Sequence, residues 1–127
     1  MKYIKKILKK LSEDPITSKT PTIVFARDPK CNLSEFKLDD LSCYGMFTSI
    51  DPSSAISVFK GSHALQGNLD PKILLEEDSV IKESVMRMLS EFKDFPGYIF
   101  NLGHGITPDI NPDKVKVLVE AIRESGS

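Results

Sequence analysis

The sequence predicts an α/β fold, a parallel βα repeat of about four strand–helix units, and three observations predict it. Short apolar runs recur along the chain, segments of helical period separate them, and an Asp-Pro or Asn-Pro pair stands a few residues beyond most of the runs. The runs are TIVFA at 22–26, CYGMF at 43–47, SHALQ at 62–66 and GYIFNL at 97–102. They are rich in β-branched and aromatic residues and too short for helices. Their apolar residues are near-continuous rather than alternating, which suits strands covered on both faces of a parallel sheet.

The first element is a helix. Tyr3, Ile4, Ile7, Leu8 and Leu11 recur at helical spacing with lysines between them, which predicts a surface helix burying one stripe; membrane-surface binding is the alternative for a basic amphipathic segment. It lacks the apolar stretch of a secretory signal. Residues 12–21 read as a plain loop into the first strand. Asp51-Pro52, Asp70-Pro71 and Asn111-Pro112 each predict a helix start, because the polar side chain accepts from the orphan N–H groups of the first turn and Pro at the first helical position loses no hydrogen bond. Asp28-Pro29 is a fourth candidate, followed by a less regular segment.

The faces that follow are Ala55, Ile56 and Phe59; then Ile81, Val85, Met88, Leu89 and Phe92, preceded by a short turn at 71–75 and the acidic residues 76–78; then Val115, Leu118, Val119 and Ile122. Four such units are half of an eightfold barrel, and a complete one takes about 250 residues. The expectation is a single partial domain over 1–127, whose open strand edges imply self-association or a missing N-terminal half.

Composition narrows the function. Of 127 residues 40% are apolar and 28% charged, and 17 basic residues face 18 acidic ones for a net charge of -1. That balance argues against a dedicated nucleic-acid or membrane binder, and no apolar run approaches the length of a membrane helix. Cys31 and Cys43 fit no C-x-x-C pattern and read as free thiols in a reducing cytoplasm. No metal site is expected, since no His or Cys pair has ligand spacing. Phosphate-cradling glycine loops and the nucleophile elbow are absent too.

In parallel α/β folds chemistry gathers beyond the C-terminal ends of strands. Those positions hold Arg27 and Asp28; Thr48 and Ser49; Gln66, Gly67, Asn68 and Asp70; and Asn101, Gly103, His104 and Gly105. His104 between two glycines is the most informative, because glycines permit positive φ and close backbone approach to a ligand, and imidazole titrates near neutral pH. The alternative is a capping histidine in a tight turn. Gln66 and Asn68 are candidates to donate to a polar ligand or to satisfy loop backbone groups, with Asp70 as a helix cap. His63, inside a strand run, reads as a packed side chain.

HALQGNLDPKILL at 63–75 and GYIFNLGHGITPDINPDKVKVLVEAI at 97–122 resemble the two C-terminal signature regions of the uroporphyrinogen decarboxylase family, in that order and separation, and TIVFAR at 22–27 resembles an earlier strand of it. The resemblance implies the C-terminal half of a TIM (β/α)8 barrel, often homodimeric and cytoplasmic. It implies a tetrapyrrole substrate, uroporphyrinogen III, whose four acetate side chains lose CO₂ to give coproporphyrinogen III in haem biosynthesis, with no metal or organic cofactor. Protonating a pyrrole makes the electron sink that lets CO₂ leave, and the resulting methylene is then reprotonated; the enzyme supplies proton donors and holds a polyanion. His104 matches the family's C-terminal active-site histidine. Gln66, Asn68, Asn101, Gly103 and Gly105 match positions shaping the cleft wall, and Arg27 is a candidate carboxylate contact.

The departures are specific. The family's N-terminal arginines, its essential aspartate and its active-site tyrosine have no counterpart here, and only Arg27, Arg87 and Arg123 occur. Where the family usually carries Leu-Asp-Trp this chain has Met46-Phe47-Thr48. The isolated chain is therefore expected to be inactive. A non-catalytic half-barrel acting as a binding or assembly module is the alternative. A related cobalamin-linked methyltransferase would require a zinc-binding H-x-C that is absent.

Overall fold

The computed structural model describes residues 1–126. Its elements follow the order α1 (Lys2–Glu13), β1 (Ile23–Phe25), β2 (Cys43–Gly45), α2 (Pro52–Phe59), β3 (Ala64–Gln66), α3 (Asp78–Glu91), β4 (Tyr98–Ile99) and α4 (Pro112–Ser125), with single 3₁₀ turns at Leu33–Phe36 and Pro71–Leu75. The strands form one sheet in the order β1-β2-β3-β4, every neighbouring pair parallel. The α/β reading holds, and β1 and β4 are the two edges of the sheet.

Register explains which side of the sheet is covered. Val24, Tyr44, Leu65 and Tyr98 align across the four strands, and all four belong to one core cluster with Leu8, Phe36, Ala55, Phe59 and Phe92 from the helices and turns. Alternation turns the next residues to the opposite face. There Ile23 is 51% exposed, Phe25 49% and Ile99 44%. Helices thus cover one face, and the other leaves apolar side chains half in solvent. A second cluster, built on Leu74, Ile81, Val85, Leu118 and Ala121, packs the Pro71–Leu75 turn, α3 and α4 together.

The polar punctuation acts as expected at three of its four places. Asp51 accepts from Ser54 N at 2.8 Å, Asp70 from Lys72 N at 2.9 Å and Asn111 from Asp113 N at 2.9 Å. Hydrogen bonds from Ser53 and Ser54 hold the Asp51 carboxyl below its ordinary range. Asp28-Pro29 starts no helix: Asp28 adopts a left-handed φ of 44°. The turn begins instead at Asn32, where a capping box with Glu35 satisfies the first N–H groups.

The α1 stripe is only half used. Leu8 is buried and Ile4 and Leu11 are half-buried, while Tyr3 and Ile7 are exposed. Ile7 shares an apolar groove with Ile23 and Val24 of the β1 edge. No helix among the described residues is long and apolar enough to cross a membrane.

Candidate functional site

The half-exposed face of the sheet ends in a cavity of about 260 Å³ at the C-terminal ends of the strands. Phe25, Gly45, Met46, Gln66, Asn101, Leu102, His104 and Gly105 line it. Gln66, Asn101, His104 and Gly105, separated by up to 39 positions in sequence, are thereby brought together. Gly45 leaves room in the floor, where a side chain would stand 3.2 Å from the Phe25 Cβ.

The loops after β3 and β4 are fastened to each other. Gly67 N donates to Ile99 O at 3.1 Å, Leu69 N to Asn101 O at 3.1 Å and Gly103 N to Leu69 O at 2.8 Å, so parallel pairing runs past the strands as far as Leu102. The Tyr98 hydroxyl donates to Gly67 O at 2.5 Å. Burial, with the Glu91 charge as a lesser cause, pushes the ionisation of Tyr98 far above the ordinary tyrosine range and keeps it a donor.

His104 is half-buried, with Nδ1 2.9 Å from Gly105 O and its ring 5.8 Å from the ring of Phe47. The glycines on either side act differently from the expectation. Neither takes positive φ; that conformation occurs at Gly61, Gly67 and Gly97. Gly103 is buried against Thr48 so closely that any Cβ there would stand 2.7 Å from the backbone N of Thr48. The approach it permits is loop against loop, whereas Gly105 has open space around it.

Asn68 does not line the cavity. Its amide donates to Phe47 O at 2.9 Å and Ile50 O at 2.7 Å, and the side chain is buried. Of the two readings of Asn68, the geometry matches the one in which it satisfies loop backbone. Its Oδ1, with Thr48 Oγ1, is buried without a hydrogen-bond partner among the described residues. Asn101 is exposed and uses its Oδ1 to accept from Leu102 N at 2.8 Å, leaving its amide N–H groups available. Arg27 is exposed just beyond β1, outside the residues lining the cavity. His63 lies one residue before β3, not within it, and its Nε2 is 2.9 Å from Leu38 O.

Phe25, Gly45 and Leu102 line the cavity without having been singled out in the sequence, and their places in the apolar runs 22–26, 43–47 and 97–102 were the available signal. Met46 and Phe47, already marked as the departure from the family's Leu-Asp-Trp, sit immediately after β2. A larger cavity of about 590 Å³ lies between α2, the Pro71–Leu75 turn and α3. It mixes Lys72 and Arg87 with Asp51, Asp70, Glu76 and Glu91, so it presents no net positive field to an anion.

A family model described as uroporphyrinogen decarboxylase (URO-D) matches residues 1–125. A protein of Alcanivorax borkumensis named uroporphyrinogen decarboxylase is 36% identical over 124 residues, 98% of this chain and 35% of the relative. One of the same name from Vesicomyosocius okutanii is 56% identical over 59 residues, 46% of this chain and 17% of its own. A third, from Chloroherpeton thalassium, is 38% identical over 109 residues, covering 84% and 31%. The chain spans about a third of the length of the curated relatives it matches.

Proposed function

The chain belongs to the uroporphyrinogen decarboxylase family, and we propose that it forms the C-terminal portion of that enzyme's barrel, contributing one wall of a tetrapyrrole cleft. In the assembled barrel it takes part in removing CO₂ from the acetate side chains of uroporphyrinogen. The observation that carries this reading is the pairing of a half-exposed apolar sheet face with a cavity at its C-terminal end that joins polar groups to apolar wall. A closed barrel would cover the first and extend the second.

Within the cleft, His104 is the group that moves or shares a proton with the substrate. Gln66 and the Asn101 amide donate to its polar groups. Phe25, Met46 and Leu102 supply apolar wall for the macrocycle. Arg27 meets a carboxylate at the rim. The remaining cations come from the segment that completes the barrel. Each charge-assisted hydrogen bond to a carboxylate contributes about 1.5–3 kcal/mol, so a chain with one arginine near the site holds a polyanionic tetrapyrrole weakly by itself.

The test is complementation. The chain is assayed on uroporphyrinogen alone and together with the N-terminal portion of a relative that ends where the match begins. Turnover is expected only from the pair, and His104→Ala in the pair lowers it by about 10²–10⁴-fold with an unchanged circular dichroism spectrum. Equal turnover in His104→Ala removes that residue from the site. Full activity from the isolated chain overturns the reading of it as a partial barrel.

A further inference from the structure

We propose that Phe47 and the carbonyl of Gly105 hold His104 in the Nδ1–H tautomer, so that Nε2 is the acceptor it offers to an N–H or O–H donor of a ligand. A backbone carbonyl only accepts, so the 2.9 Å contact between Nδ1 and Gly105 O places the ring proton on Nδ1. In the neutral ring Nε2 then carries the lone pair, and it has no partner among the described residues. An unrestrained histidine in water favours the opposite tautomer, so this arrangement needs a cause.

The cause is a chain of contacts ending on the ring. Asn68 holds the backbone of Phe47 through its carbonyl at 2.9 Å, and the Phe47 ring leans on Phe25 at 6.3 Å. The same ring meets the His104 ring at 5.8 Å and 32°. Gly103, seated on Thr48, brings the histidine loop close enough for that contact. Phe47 is thus a positioning residue that acts through His104. The site's importance rests on the function proposed above; the tautomer does not.

His63 supplies an internal control, because its Nε2 faces Leu38 O and must carry the proton. The chain holds two histidines, and the geometry assigns them opposite tautomers. Long-range ¹H–¹⁵N correlation spectra of the whole chain at mildly alkaline pH read the two patterns directly, with His104→Gln assigning them. The expected result is Nδ1–H for His104 and Nε2–H for His63. In Phe47→Leu the His104 pattern is expected to average towards a mixture, in Phe47→Tyr to persist, and His63 is expected to stay unchanged in both. An Nε2–H or averaged His104 in the wild type overturns the proposal, as does a pattern indifferent to Phe47→Leu. Should Phe47→Leu fail to fold, Phe47→Met provides the same comparison. Since no turnover is measured, failed complementation leaves this result intact, and the converse holds too.

Discussion

The sheet has two faces with opposite surroundings. On one, Tyr44 and Leu65 are fully buried and Tyr44 lies between Phe36 at 4.7 Å and Phe59 at 5.1 Å. On the other, Phe25 and Ile99, on the same three-residue strands or shorter ones, stand half in solvent. Side chains of similar size and hydrophobicity therefore do different work according to the parity of their position. Parity of the first kind holds this chain together. Parity of the second kind leaves apolar side chains half in solvent, on the side where the candidate cavity opens.

The sharpest way to break the contrast is Tyr44→Ala. Removing a fully buried aromatic is expected to cost about 3–5 kcal/mol, read from chemical denaturation. On the half-exposed face, Phe25→Ser is expected to change the stability of the isolated chain by less than about 0.5 kcal/mol while abolishing complementation, which separates folding from assembly in a single pair of assays.

Gly103→Ala tests the fastening of the loops. The added methyl meets the Thr48 backbone, and overpacking of that kind costs about 1–3 kcal/mol. Gly105→Ala, with open space around it, is expected to be silent in the same thermal melt.

Two hydroxyls sharpen the comparison further. The Tyr44 hydroxyl is buried without a hydrogen-bond partner among the described residues, whereas that of Tyr98 donates to Gly67 O. Tyr98→Phe is expected to destabilise by about 1 kcal/mol, and Tyr44→Phe to be neutral or slightly stabilising. Urea midpoints distinguish them, and equal losses would remove the distinction.

A last effect is confined to alkaline pH. Burial, and secondarily Cys31, pushes the Tyr44 hydroxyl up to about 12 from an ordinary 10. The folded state keeps that proton longer than the unfolded one. Its contribution to stability is complete below pH 10 and is lost as pH rises towards 12. Tyr44→Phe should flatten that part of the pH–stability curve.

Much of this architecture was legible because backbone chemistry is local. An Asp or Asn before Pro can cap the next turn wherever the chain goes, and Asp51, Asp70 and Asn111 do so. Asp28 precedes Pro as well, but the nearby Asn32 and Glu35 offered the competing cap. The site was legible as a set of loops and not as contacts. Nothing in the spacing of Asn68 reveals that Phe47 O and Ile50 O, some 20 positions away, claim its amide. Gly103 likewise reads as freedom of φ in one dimension and as loop proximity in three. Phe47 was legible as a departure from the family's usual Leu-Asp-Trp, but the placing of its ring beside an imidazole depends on a loop more than 50 positions away.

The consecutive strand order has a kinetic meaning. Ile23 pairs with Cys43, Cys43 with Ala64 and Leu65 with Tyr98, so every ladder closes between sequence neighbours. Closure entropy grows only as the logarithm of loop length, and no ladder waits for a distant stretch of chain to arrive. The three pairings can therefore form as a progressive zipper as the chain emerges from the ribosome. The β1 edge, by contrast, is exposed from the moment β1 forms. Any strand that is to seal it competes, during that interval, with every other unpaired strand in the cell.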